Sequence, residues 1–267
     1  LASRRLQPRG RRQRKSTLGT DSLAALRAKS AADLLEAAAK EGGPRFSPNV
    51  DGYFLLETVQ AIFVAGKQSH VPLLAGWNLD EGSYHAILGD DAPTPRNFAG
   101  KVRSLYGVNA DTILKLYPAA TEEEVKRAAQ DLAGDRFTQF TTWKWLELQL
   151  KTGGSPVYRY RFEETLPLPS GSAPNTETSA PHASEIEFVF GVLPSRDLPW
   201  RPQDEKLSDQ MGSYWTNFAK KGDPNGAGLP KWPSYAPEDF QVMHLNANPQ
   251  ALPDDHRARY LFLDELR

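Results

Sequence analysis

Two side chains far apart in the chain carry the chemistry it can offer: the carboxylate of Glu81 and the imidazole of His182. Glu81 lies in the run VPLLAGWNLDEGSYHA, five residues past Gly76 and directly before Gly82, where a glycine lets the backbone turn tightly. His182 stands in PHASEIEFVFG, at the end of a long loop. A carboxylate just past the carboxyl end of a buried strand sits on the rim where open α/β sheets place their sites. An acid there can accept a hydrogen bond from a histidine Nδ1–H, fix its tautomer and stabilise the imidazolium formed during acyl transfer. A histidine on a loop can reach a nucleophile and shuttle its proton near neutral pH. On spacing alone the same residues also fit an acidic turn and an exposed or capping histidine.

Other chemistries find less support. His182-Ala183-Ser184-Glu185 has the spacing of half a carboxylate metal site, but no second half accompanies it. His70, His85, His244 and His256 are scattered without ligand spacing, so no metal is expected. With no cysteine, disulfides and thiolate chemistry are excluded, while the compartment stays open.

The elements that must position the pair follow from periodicity. VPLLAG (71–76) is a short continuous apolar run, the pattern of a strand buried on both faces of a parallel sheet. SPVYRYRF (155–162) alternates as a strand, with Val157 facing opposite to Tyr158 and Tyr160, and VMHL (242–245) reads as a further short strand. Asp21 is expected to cap a helix through Leu23 and Leu26. Ser30 with Asp33 caps another over AADLLEAAAK, ended by Gly42 and Gly43. An amphipathic helix is expected over Tyr53–Ala65. Thr121 with Glu124 opens a helix that Gly134 separates from the next, whose stripe is Phe137, Phe140, Trp143, Leu146 and Leu150, ended by Gly153 and Gly154. The segment from Glu163 to Pro181, with four prolines, is a loop that delivers His182. Leu207, Met211, Tyr214, Trp215 and Phe218 mark a helix stopping at Gly222, and ARYLFLDELR reads as a terminal helix. Strands separated by helices give an α/β class.

A hydrophobic content of 39% suffices for a buried core. Residues 1–15 hold six arginines, Lys15 and no acid, which leaves 25 basic against 33 acidic side chains in the remainder. An acidic body without aromatic platforms or a zinc motif disfavours nucleic acid as a partner, and the Arg-rich residues 1–19 read as a disordered or non-native leader. No apolar run approaches the ~20 residues of a membrane span.

Taken together, the two runs resemble the type B carboxylesterases, the cholinesterase-like branch of the α/β-hydrolases. Asn78-Leu79-Asp80-Glu81-Gly82 resembles the family's acid segment, and the run from His182 to Gly191 resembles its histidine segment. PNVDGYFL at Pro48, TTWKWLELQ at Thr141, SPVYRYRF at Ser155, YWTNFAKKGDPNG at Tyr214 and WPSY at Trp232 agree in order. The resemblance implies that residues 20–267 are the C-terminal half of an α/β-hydrolase fold, part of a mostly parallel central sheet flanked by helices. It implies Glu81 and His182 as acid and base of a Ser–Glu–His triad that hydrolyses a small-molecule ester, with no cofactor. Two departures stand out: Ser179 occupies a position where relatives often carry glycine, and Pro181 directly precedes His182. The Gly-x-Ser-x-Gly elbow and the glycine-rich oxyanion segment do not occur in residues 1–267. The expectation is therefore a fragment, inactive alone, whose half sheet leaves an edge open to association or to a complementary N-terminal half. The competing expectation is a non-catalytic relative of the adhesion type that binds partners through its surface.

Overall fold

The computed structural model describes residues 22–40, 48–172 and 179–266, and the chain divides into two compact units between Thr58 and Val59. In the first unit, helix α1 (Leu23–Arg27) begins at Ser22, whose hydroxyl accepts from the Ala25 N–H. Ser22 thus takes the capping role expected of Asp21. Asp21 lies outside the described residues, as do Gly42, Gly43, Pro174 and the leader expected over 1–19. Helix α2 (Ala31–Ala39) has the expected box, Ser30 and Asp33 each receiving the other's backbone N–H. The helix expected over Tyr53–Ala65 does not form in its first half. Asp51 Oδ1 instead collects the N–H groups of Tyr53, Phe54 and Leu55 at 2.9, 2.9 and 3.2 Å. Such local bonds offer the backbone an alternative to helix.

The second unit opens with what remains of that helix, α3 (Val59–Val64). Four strands, β1 (Leu73–Asn78), β2 (Val157–Phe162), β3 (Gln241–Leu245) and β4 (Gln250–Pro253), lie side by side in that order. β1, β2 and β3 are parallel, with Leu73 opposite Val157 and Asn78 opposite Phe162, and β4 closes the sheet antiparallel to β3. β1 runs two residues later than expected and is less covered. Leu73–Gly76 are half-buried and only Trp77 and Asn78 are fully buried, because among the described strands β1 pairs with β2 alone. Gly76 lies inside the strand rather than ending it. A Cβ there would stand 2.2 Å from the Tyr160 carbonyl oxygen, so only glycine admits this neighbour.

The alternation of β2 sorts two cores onto the two faces. Val157 joins Trp77, Leu88, Phe98, Val102, Ile113, Leu132, Trp143 and Tyr260 on one. Tyr158 and Phe162 join Phe188, Leu207, Met211, Tyr214 and Trp232 on the other. Full burial of each such side chain is worth about 1.5–3 kcal/mol. The first face is covered by α4 (His85–Leu88), α5 (Pro95–Tyr106), α6 (Ala110–Leu116), α7 (Glu122–Gly134), α8 (Phe140–Gly153) and α11 (Arg257–Glu265), and the second by α9 (Ile186–Phe190) and α10 (Pro202–Lys221). The result is a mostly parallel sheet between helical layers.

Gly134 does not separate two helices. α7, opened by the expected Thr121–Glu124 box, runs through a π-helical turn (Asp135–Gln139) straight into α8, which ends at left-handed Gly154. The turn's extra residue breaks the phase of the expected stripe: Phe140, Trp143 and Leu146 are buried, but Phe137 is 59% exposed.

Candidate active site

Glu81 follows the end of β1 by three residues. Its carboxylate turns back on the strand, where Oε1 accepts the Asn78 backbone N–H at 2.8 Å. Space for this loop comes from Gly82 rather than from Gly134. A Cβ on Gly82 would lie 2.5 Å from the Gly134 nitrogen, and one on Gly134 would lie 3.5 Å from the Glu81 Cβ. The glycine after the acid is thus required for close approach to α7. Its φ is not left-handed, so the tight turn expected there is not its purpose.

His182 comes from the long segment that follows β2. A bridge between Asp80 and Pro181 extends the parallel pairing to the loop's end, and the Asp80 N–H donates to the Ala180 carbonyl at 3.0 Å. His182 and Ala183 then occupy a tight turn closed by the Ser184 N–H on the Pro181 carbonyl, 3.1 Å. Ala183 stands at φ 66°, a left-handed conformation uncommon without glycine. The Asn78 amide holds this turn, donating to the Pro181 carbonyl at 2.7 Å and to Glu185 Oε2 at 2.6 Å.

The outcome is a direct contact: His182 Nδ1 lies 2.5 Å from Glu81 Oε2. In the tautomer with the proton on Nδ1 the ring donates to this carboxylate and Nε2 carries the free lone pair. Glu81 is 5% exposed while the imidazole is 61% exposed, so the carboxylate is enclosed and the ring is open. The Phe137 ring meets the imidazole edge-to-face at a centroid distance of 5.2 Å. Two positions on, the Gln139 amide donates to the Asn78 carbonyl at 3.2 Å. Burial, with Glu185 and Glu81 close by, pushes the Tyr160 phenol up. Among the described residues no serine hydroxyl is hydrogen-bonded to the imidazole.

A profile of the carboxylesterase family matches residues 9–261. The chain belongs to that family. Acetylcholinesterase of Bungarus fasciatus is 29% identical over 232 residues, 80% of this chain and 38% of the relative. Carboxylesterase 5A of Mus musculus is 31% identical over 85% of the chain and 41% of its own length, and Carboxylesterase 1C of Rattus norvegicus is 27% identical over 79% and 40%. The chain spans about two fifths of the length of these relatives. For a carboxylesterase-family chain, the mostly parallel sheet between helices is a portion of the α/β-hydrolase fold.

The other histidines of this carboxylesterase-family chain stand elsewhere. His70 and His85 meet backbone carbonyls of Gly66 and Gly89. His244 Nδ1 lies 2.7 Å from Glu163. Burial alone would raise the Glu163 carboxyl, but the bonds from His244 and Arg161 and the Arg161 charge outweigh it and bring it to about 2. Asp254, Asp255 and His256 are close enough to share an ion. However, Asp254 already faces Arg159 and Arg161. Burial, with the charges of Arg259 and Arg161, lowers His256 to about 3. Of the aromatics near β1, Trp77 and Phe188 are core residues. No helix among the described residues is long and apolar enough to cross a membrane.

Sequence reasoning missed Asn78 and Phe137, which touch the pair, and Asp80 and Gln139, which hold the backbone beside it. Asn78 and Asp80 sat in the very segment that pointed to Glu81, and a count of loop polar groups needing partners would have raised them.

Proposed function

We propose that this chain supplies the acid and base of a serine ester hydrolase. The observation that carries the reading is the contact of His182 Nδ1 with enclosed Glu81 while the imidazole as a whole stays exposed. In this arrangement Glu81 orients His182 and balances the imidazolium, and Nε2 takes a proton from a serine hydroxyl and returns it to the leaving alcohol. Attack forms an acyl-enzyme on that serine, and water activated by the same imidazole releases the acid. Neither a metal nor a cofactor enters any step. The substrate class is a small-molecule carboxylic ester.

Residues 1–267 contain no Gly-x-Ser-x-Gly and no glycine-rich oxyanion segment, so serine and donors must come from polypeptide outside them. Loss of one oxyanion donor alone costs ~10²–10³ in rate. Residues 20–267 therefore act as the acid–base portion of the catalytic domain, inactive by themselves. The edge of β1 that no described strand covers is where a complementary N-terminal portion would join the sheet. The test compares two proteins on p-nitrophenyl acetate: residues 1–267 alone, and the product of the complete coding sequence around them. The chain alone is expected to match its own His182→Ala variant, and the complete product to lose at least ~10²-fold on the same change. A His182-dependent burst from the chain alone would overturn the need for outside serine. A complete product indifferent to His182 would favour a binding protein instead.

A further inference from the structure

Glu81 has a carboxylate neighbour with an entirely different set of partners. Asp80 is 7% exposed at its side chain, and neither of its oxygens is free for His182. Oδ2 accepts the Ala180 backbone N–H at 3.0 Å, two residues before His182. Oδ1 accepts from Arg127 Nη1 at 3.0 Å and Gln130 Nε2 at 2.6 Å, both on α7. Behind them the charges alternate. Arg127 Nη2 lies 2.7 Å from Asp131 Oδ1, and Asp131 Oδ2 lies 2.9 Å from Arg259 Nη1 on α11. Arg259 is fixed in turn by the Leu116 carbonyl at 3.2 Å and by the Tyr117 ring beneath it.

We infer that Asp80 is a positioning residue that holds the His182 loop at the distance Glu81 requires. The inference rests on the acid–base reading of Glu81 and His182 and adds to it the part that sets their separation. The geometry divides two adjacent carboxylates between two tasks, Glu81 on the imidazole and Asp80 on the backbone that carries it. Three donors converge on Asp80, so a carboxylate is needed. An asparagine would turn its NH₂ toward another donor and leave at least one of the three unpaired. Arg127 and Gln130 hold the carboxylate in place from one rigid helix. The bond to Ala180 and the reciprocal bond from the Asp80 N–H then clamp the loop on both sides of one residue pair.

The experiment uses residues 1–267 labelled with ¹⁵N-histidine and, separately, uniformly with ¹⁵N. Two quantities are read by NMR: the His182 Nδ1–H proton held on Glu81, and amide exchange at Ala180. Asp80→Asn is expected to raise Ala180 exchange by about 10–100-fold, the effect of losing a hydrogen bond to a charged acceptor. It should also broaden or abolish the Nδ1–H signal, while exchange within β2 at Tyr160 stays as in the parent. Should Asp80→Asn not fold, Arg127→Met removes one holder of the carboxylate and is expected to raise Ala180 exchange several-fold. Parent-like Ala180 exchange and an unchanged Nδ1–H signal in the folded variant overturn the clamp. A parent Nδ1–H signal that Glu81→Gln leaves untouched defeats the acid–base reading instead, with the Ala180 exchange still deciding for or against the clamp.

Discussion

Replacing Gly82 with alanine puts the packing of the acid loop to a direct test. Gly82 has an ordinary φ, so the new methyl brings no backbone strain and only space decides the outcome. The added Cβ would stand 2.5 Å from the Gly134 nitrogen, 2.6 Å from the Ala133 Cβ and 2.7 Å from the Ala133 carbonyl carbon. Carbon atoms rest at about 3.5–4.0 Å, so loop and helix must part by about 1 Å. The helix is the harder of the two to move, because Gly134 lies inside the continuous run of α7, the π turn and α8. Overpacking of this kind costs about 1–3 kcal/mol. For a unit of this size, that corresponds to a fall in Tm of about 2–12 °C. The loop's retreat carries Glu81 with it, stretching the 2.5 Å contact to His182 toward the limit of hydrogen-bond range and weakening it. Calorimetry and the His182 Nδ1–H signal measure the two effects. Gly100→Ala in α5 is the control, since nothing lies within 4 Å of its Cβ, and it should stabilise by about 0.5–1 kcal/mol. A Gly82→Ala chain with parental Tm and an intact Nδ1–H signal would refute the argument.

Asp135, in the π turn, is fully buried, and desolvation raises its carboxyl to about 7 despite the hydrogen bond from Tyr117 and the charge of Arg259. A folded-state value above the ordinary 3.8 means a contribution complete below about pH 4 and lost as pH rises through 7, about 4 kcal/mol in all. Asp135→Asn keeps an acceptor for Tyr117 and cannot ionise, so it should gain on the parent by up to that amount between pH 4 and 7.5 in urea unfolding. An equal difference at both pH values would show the shift to be wrong. Ala183→Gly relieves a left-handed alanine at about 1–2 kcal/mol and adds about 0.5–1 kcal/mol of unfolded-state entropy. The variant is expected to be more stable by about 0.5–1 kcal/mol, and a lowered Tm would contradict it.

What could be read from the residues alone divides along a physical line. Strands and caps announce themselves through local signals: the alternation of Val157, Tyr158 and Tyr160, the Thr121–Glu124 box, Gly154 and Gly222 at helix ends. Glu81 and His182 were visible because each sits in a run with a recognisable order of residue types. The π turn was hidden because Phe137, Phe140 and Trp143 are spaced as an α-helix would space them, and one inserted residue leaves no mark on composition. Asn78 and Asp80 were hidden for another reason. Their partners, Pro181 and Ala180, lie a hundred positions away, and a polar residue in a loop has no periodicity to betray its contact.

The strand geometry also explains why the acid points where it does. Along β1 the N–H groups of Leu73 and Leu79 donate toward β2. Alternation therefore turns the Asn78 N–H to the other side, the edge with no partner among the described strands. An unpaired N–H at half depth is costly, and the Glu81 carboxylate satisfies it with Oε1. That bond leaves Oε2 for His182, so the orientation of the acid follows from how β1 ends rather than from the imidazole alone. It also draws the pair toward the edge of β1 that no described strand covers. On the proposed reading this is the side from which a serine on an adjoining strand could reach Nε2, whereas a serine arriving beyond β4 would have three strands to cross.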